Sequence, residues 1–307
     1  MTEPAHPALA WGCSALGNHL RAHTEEESAA LLEAAWTLGV RSFDTAPHYG
    51  LGLSERRLGR FLATVPRAEV HVSSKVGRLL VTQDSGGRLD DEDFVVAADH
   101  RRQPDYSSAG VRASVYATLE RMGLDRLDVA YVHDAERYDL EGGLTTALDG
   151  LLALKQEGVV GAVGFASMDA HALQRAAADA RWDELMVAGA HTLATDGTAI
   201  LDSAHAHDIA VAAAAVFNGG VLATGLKGDD LFDYVPITPA ARERVAFLER
   251  QAATFGVPLA AAALQYPLRH PAVVRVVVGG ARPDHVARNL DGLALPIPEE
   301  FWRSVAA

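Results

Sequence analysis

Four polar residues close or follow short apolar runs at points where the chain must turn. Asp44 ends Arg41–Asp44, Lys75 ends Val70–Lys75, His133 ends Leu127–His133, and Tyr49 follows Asp44 by five residues. A carboxylate, an ammonium, a phenol and an imidazole brought together make a proton-transfer centre. A phenol with a pKa near ~10 is a poor base at neutral pH, but a neighbouring ammonium favours its anion and a carboxylate holds that ammonium in place. An imidazole on the next run can orient the reacting oxygen or donate to it. Singly, each residue has an ordinary use: a strand-end Asp caps a helix, a lone Lys is a solvated charge, a Tyr beside Gly packs a loop, and His133 is a satisfied core histidine. It is the occurrence of all four around three consecutive strand ends that points to chemistry.

Such a centre needs elements that bring the strand ends to one place. Short, β-branched apolar runs alternate with longer amphipathic ones, the pattern of a parallel sheet wrapped by helices. Strands are predicted over Leu9–Ala15, Arg41–Asp44, Val70–Lys75, Leu127–His133, Ala162–Phe165, Leu185–Ala188, Ile209–Ala214 and Val273–Val278. The Thr24-Glu25-Glu26-Glu27 run is a capping box that opens a helix, and another helix starts at Ser54 with Glu55 in its first turn. Further helices are expected from about Ser107 to Met122, stopped by Gly123, and over Leu144–Glu157, Asp169–Arg181, Thr198–His207, Pro239–Phe255, Pro258–Leu268 and Pro283–Leu290, the last closing the series. Gly77–Tyr106 and Asn218–Pro236 have no sustained period and are read as long loops above the sheet. Eight strand and helix units without a linker favour a (β/α)8 TIM barrel with additional C-terminal helices, a single domain over residues 1–307. An open doubly wound sheet would want a glycine fingerprint after its first strand, and Gly12–Gly17 shows only two glycines in the wrong arrangement. In a barrel the chemistry sits at the C-terminal strand ends, where the four residues fall.

Composition narrows the partners. Apolar residues make up 49% and charged residues 22% of the 307, enough for a sizeable core. A formal charge of −13 without a basic stripe excludes nucleic acid, whose binding draws on clustered Lys and Arg. A small anionic cofactor is still compatible, because helix N-termini can hold it on an acidic protein. The single cysteine, Cys13, excludes an intramolecular disulfide or a thiolate cage and reads as a core thiol. The 13 histidines show no metal-site spacing, so no metal is expected. Met1–Ala10 lacks the charged and apolar regions of a signal peptide, and no run approaches the ~18 apolar residues of a membrane span, so a cytoplasmic protein without a membrane partner is expected. Oligomeric state is not legible.

The run Phe43-Asp44-Thr45-Ala46-Pro47-His48-Tyr49-Gly50, continuing through Gly52, Ser54, Glu55 and Leu58-Gly59, resembles the signature of the aldo-keto reductase superfamily. Ser73-Ser74-Lys75-Val76-Gly77 and Tyr131-Val132-His133-Asp134 match the next two motifs in order, and the resemblance covers essentially the whole chain. It implies Tyr49 as general acid and base, Lys75 and Asp44 as the groups that tune it, and His133 as the residue that binds and polarises the substrate oxygen. It also implies NAD or NADP, held in an extended pose across the barrel top. Where the family shows Gly-x-Ser-Asn, this chain has Gly164-Phe165-Ala166-Ser167, leaving Ser167 one bond to the carboxamide. Phe217 is placed to stack on the nicotinamide or to serve as a core Phe, with Asn218 and Gly219 near the pyrophosphate. Gly280, Arg282, Arg288 and Asn289 correspond to the segment that grips the adenosine end. NADP-requiring relatives carry Lys at the Gly279 position and Arg at the His285 position; without them, NAD or dual use is favoured unless Arg282 or Arg288 substitutes.

Within the superfamily, the segments around Pro47-His48-Tyr49, Val187–Leu193 and Val216–Leu222 are most similar to the branch of L-fucose, D-threo-aldose and pyridoxal dehydrogenases, although Ala190-His191 stands where that branch has Arg-Tyr. The branch oxidises a cyclic hemiacetal to a lactone, so a small carbonyl or hemiacetal substrate is implied. His48 and Trp11 are candidate substrate contacts, with loop capping and barrel packing as their ordinary alternatives. Two other functions fit the family: an NADPH-dependent aldehyde or ketone reductase, and a cofactor-sensing regulatory subunit.

Overall fold

The computed structural model describes residues 8–228 and 230–306, so residues 1–7 of the Met1–Ala10 segment lie outside the described residues. Eight parallel strands close into a barrel: β1 Leu9–Gly12, β2 Ser42–Asp44, β3 His71–Val76, β4 Leu127–His133, β5 Val160–Ser167, β6 Glu184–Ala188, β7 Ala210–Ala214 and β8 Val273–Gly279. Each strand pairs with its neighbours in chain order, and β8 pairs back onto β1 through Leu9 with Val276 and Gly12 with Gly279. Such closure leaves no unpaired edge.

The period of two in each strand divides two cores. Alternate residues Ala10, Val129, Tyr131, Ala166, Met186, Ala212 and Val277 fill the barrel interior. The intervening ones, among them Trp11, Phe43, Val72, Val132, Phe165, Leu185 and Val276, pack outward with Leu31, Leu58, Leu119 and Leu151 of the helices. The interior also holds a polar group: Tyr131 donates to Glu184 at 2.6 Å, and Arg275 reaches Glu184 at 3.3 Å and His71 at 3.2 Å. The apolar pattern of these strands gave no hint of that network.

Helix ends follow local chemistry. In the helix Glu25–Thr37, Thr24 accepts from the Glu27 amide while the Glu27 carboxylate accepts from the Thr24 amide, the reciprocal box read from the sequence and worth about 1 kcal/mol. Ser107 caps the helix Ser108–Met122, and Gly123 ends it in the left-handed region.

Two expectations are corrected. Gly77–Tyr106 is not a plain loop: Arg78–Thr82 and His100–Pro104 form an antiparallel hairpin, hidden from the sequence because its second strand, HRRQP, has no apolar alternation. The helix expected over Leu144–Glu157 is present as Thr146–Gln156, preceded by a short helix Leu140–Leu144 that the sequence reading did not include. Pro283–Ala294 does not close the chain; a further helix, Glu299–Val305, buries Phe301, Trp302 and Val305 against Val245 and Leu248 of the helix Pro239–Phe255. Among its described residues, Asn218–Pro236 holds a 3-10 turn Asn218–Gly220, a short helix Val221–Thr224 and a hairpin of two-residue strands, Leu231–Phe232 with Val235–Pro236. Among the described residues no helix is long and apolar enough to cross a membrane.

Candidate active site

Asp44, Lys75 and His133 point to the same barrel mouth because β2, β3 and β4 are in register, Asp44 opposite Ser73 and Lys75 opposite Tyr131. Tyr49 is brought in by a tight turn after β2. The turn sits against Gly17, where an added Cβ would lie 2.6 Å from the Tyr49 carbonyl carbon, and Gly50 takes φ 61° with its own Cβ position 2.2 Å from the Gly17 oxygen. Only two glycines allow this approach. Ser54 then anchors the following helix, Leu53–Leu62, by donating to the Cys13 carbonyl at 2.7 Å and pairing with Thr45 at 2.8 Å. Glu55, fully buried, accepts from Ser74, Thr118 and Arg121 at 3.0, 2.8 and 2.5 Å, tying that helix to β3 and to the helix Ser108–Met122.

The four groups converge. Lys75 Nζ donates to Asp44 Oδ2 at 2.6 Å, to the Thr45 carbonyl at 2.9 Å and to Tyr49 Oη at 3.2 Å. All three ammonium protons are therefore used, and Tyr49 Oη accepts from Lys75 while its own proton is free to point into the mouth. Ser73 donates to Asp44 Oδ1 at 2.7 Å, so both carboxylate oxygens are engaged. The His133 ring lies 6.3 Å from the Tyr49 ring at 87°, and the His48 ring lies 6.0 Å from Tyr49 and 5.8 Å from His133.

Electrostatics sort the protons. Burial would lower the Lys75 ammonium, but Asp44 and Tyr49 outweigh it and the group is raised, hence charged. Burial pushes the Tyr49 phenol up to about 12, against the pull of Lys75, so at neutral pH it holds its proton. His133 is pushed well below its usual value by burial and then by Arg78 and Lys75, and is neutral. Arg78 is itself buried and donates to Asp134 at 2.6 Å, fixing a positive charge beside this imidazole.

The remaining sequence-predicted residues fall into three groups. His48 is at the mouth: burial and then Arg78 and Arg102 lower its pKa to about 2, and Nδ1 accepts from Arg102 Nε at 2.5 Å. Trp11 is corrected: it is fully buried in the layer outside the barrel with Phe43 and Leu31, because alternation turns Ala10, not Trp11, inward, and this removes it from the substrate contacts. Of the dinucleotide candidates, Phe217, Arg288 and Asn289 share one cavity. This cavity of about 490 Å³ is lined by Phe217, Gly279, Arg288 and Asn289 with Thr224 and Leu264, within the size range of cofactor sites. Gly280 packs on His285, where a Cβ would approach to 2.6 Å, and Gly219 is at φ 71°. The Asn218 side chain is spent internally, accepting from Thr192 at 2.8 Å and donating to Asp233 at 3.1 Å, so only its backbone faces outward chemistry. Arg282 and Arg288 both pair with Asp284, at 2.9 and 2.8 Å. Ser167 donates to Glu136 at 2.7 Å and accepts from the Asp169 amide at 2.8 Å, which leaves one lone pair for the single bond expected of it.

Sequence reasoning missed Phe94, Arg102 and Asp90. Phe94 covers the mouth, its ring 6.0 Å from Tyr49 and 5.2 Å from His48. Arg102 projects from the second hairpin strand and holds Asp90 at 2.6 and 2.7 Å. None of the three sits in a periodic run, so no local signal separates them from loop residues.

Comparison with known proteins supplies the family. The profile described as Aldo/keto reductase family matches residues 8–307. A D-threo-aldose 1-dehydrogenase of Pseudomonas sp is 43% identical over 99% of this chain and 97% of that protein. A pyridoxal 4-dehydrogenase of Microbacterium luteolum is 32% identical over 97% of this chain and 92% of its own length. Among solved structures, the glycerol dehydrogenase of Gluconobacter oxydans superposes with a TM-score of 0.77 at 22% identity, covering 97% of this chain and 89% of that one. The holo form of an aldo-keto reductase from Bacillus halodurans gives 0.77 at 21%, covering 97% and 90%. These two establish the shared barrel.

Proposed function

The chain belongs to the aldo/keto reductase family, and on that premise we propose that it oxidises the cyclic hemiacetal of an aldose of the L-fucose or D-threo type, or of pyridoxal, to a lactone. As a member it is an oxidoreductase using NAD(P)(H). The observation that carries the proposal is the Lys75 to Tyr49 hydrogen bond inside a buried site whose lysine is saturated by Asp44 and Thr45. It leaves one phenolic oxygen as the proton-exchanging atom at the mouth.

Tyr49 and His133 receive the anomeric hydroxyl, His133 as a neutral imidazole. Tyr49, once ionised beside Lys75, takes the hydroxyl proton while the anomeric carbon gives up its hydrogen with the bonding pair. A bound nicotinamide supplies the acceptor for that hydride. Arg288 and Asn289 at the cavity would hold the adenosine half, Phe217 on the same cavity would stack on the nicotinamide, and Ser167 would accept from the carboxamide at the β5 end. Gly279 and His285 offer no fixed cation and the two nearby arginines are shared with Asp284, which supports NAD or dual use over strict NADP dependence. A cytoplasmic setting, where that dinucleotide is available, belongs to the same proposal.

Purified protein with NAD or NADP is to be tested against L-fucose, L-galactose, D-arabinose and pyridoxal, reading the absorbance of reduced nicotinamide. Formation with at least one sugar or pyridoxal is expected. No reduced nicotinamide with any of them, together with carbonyl reduction by NADPH, would reject the dehydrogenase assignment.

A further inference from the structure

The dehydrogenase reading leaves one arrangement at the mouth unused. His48 lies beside Tyr49 but makes no bond to it. Instead Arg102 grips it from the hairpin, Nε donating to His48 Nδ1 at 2.5 Å and Nη2 to the His48 carbonyl at 3.1 Å. The far side of the same guanidinium is clamped by Asp90, Nη1 to Oδ1 at 2.6 Å and Nη2 to Oδ2 at 2.7 Å. Both clamping side chains are shut away from solvent, 6% and 3% exposed. A guanidinium can only donate, so His48 Nδ1 must be an acceptor and the ring proton of the neutral imidazole must sit on Nε2. Nε2 is 3.9 Å from Glu92, beyond hydrogen-bond reach. The protein therefore fixes His48 as a donor with its N–H unspent.

Resting on the aldose dehydrogenase reading, the geometry points to His48 as the donor that reads the 2-hydroxyl of the sugar, with Arg102 and Asp90 as the residues that position it. If the anomeric oxygen sits between Tyr49 and His133, the next oxygen along the sugar lies about a hydrogen-bond length from it, and the His48 ring is 5.8 Å from the His133 ring, on the same rim. The hemiacetal ring oxygen is the other neighbour. As hydride leaves, that atom shares its lone pair with the anomeric carbon, and a donor placed on it would oppose the reaction. A 2-hydroxyl carries no such penalty.

The test compares kcat/KM for L-fucose with 2-deoxy-L-fucose, and for D-arabinose with 2-deoxy-D-ribose, which is the same sugar without its 2-hydroxyl. Wild type is expected to prefer the hydroxylated member by about tenfold or more, since a site built to donate is left unpaired by the deoxy sugar. His48→Ala brings the ratio close to one, mainly through KM. Arg102→Ala lowers it in the same direction, Arg102→Lys recovers part of it, and Arg102→Ala combined with His48→Ala does no more than His48→Ala alone. Asp90→Asn, which keeps shape and a hydrogen bond, serves where Arg102→Ala melts early. A merely structural Arg102 would lower rates on both sugars equally and leave the ratio unchanged, which overturns the inference. Wild type that oxidises these sugars without preference overturns it too and leaves the dehydrogenase reading standing. Wild type that oxidises none of them removes both.

Discussion

At the residue scale, the proposed chemistry leaves the proton work to one oxygen. Lys75 has no proton left to exchange and Asp44 has no free oxygen, so neither competes with Tyr49. Tyr49→Phe is expected to lower turnover by about 10²–10⁴-fold while NAD affinity, read by fluorescence quenching, stays within a small factor; undiminished turnover would remove Tyr49 from the mechanism. In the proposed reaction the phenol raised to about 12 would also set the pH dependence of oxidation. Because the reactive form is deprotonated, kcat/KM should climb through neutral pH into the alkaline range, approaching tenfold per unit. His133 and His48 are both held neutral by burial and neighbouring cations, so no limb near the ordinary histidine value should interrupt the climb. A bell with its acid limb near 6.5 would contradict this placement of the protons.

At the scale of elements, the turn after β2 and the helix Leu53–Leu62 act as the mount for Tyr49. Gly17→Ala forces a methyl into the backbone of Tyr49 and should lower kcat more than it raises KM, because the phenol is displaced while the rest of the mouth is kept. Equal loss of both sugar affinity and turnover, with intact folding by circular dichroism, would argue against a local effect. Glu55→Ala strips three donors, Ser74, Thr118 and Arg121, of a buried acceptor. A loss of about 3–5 kcal/mol in urea unfolding is expected, the cost of breaking a buried pair from one side. A loss under 1 kcal/mol would show that Arg121 finds water instead.

For the whole molecule, several imidazoles held neutral by the fold make stability fall on acidification. His48 in the native state is lowered to about 2 and His71 to about 4, by burial first and by neighbouring arginines second, while in the unfolded chain each protonates near ~6.5. Below that value the unfolded chain binds more protons, so stability drops by up to about 1.4 kcal/mol per pH unit for each group, for His71 until about 4 and for His48 until about 2. Tm should therefore decline steadily from pH 7 to 5, and His48→Asn should flatten the decline; an unchanged slope in that variant would mean His48 is not a contributor.

What the amino-acid order determined by itself was the periodic part. The strand runs with their β-branched alternation, the Thr24 capping box, Gly123 as a helix stop and the four strand-end residues were all legible, because each depends on neighbours within a turn or two of chain. The barrel and these four residues at its rim follow from that directly. Tertiary structure alone decided the rest. Arg102 meets His48 across 54 residues and Asp90 meets Arg102 across a hairpin without an apolar pattern, so nothing local marks either. Trp11 was equally readable as pocket or packing until the register of β1 turned it outward. Contacts between segments distant in sequence are fixed by how the closed sheet twists and by which loop reaches which rim, and a local pattern carries no record of that.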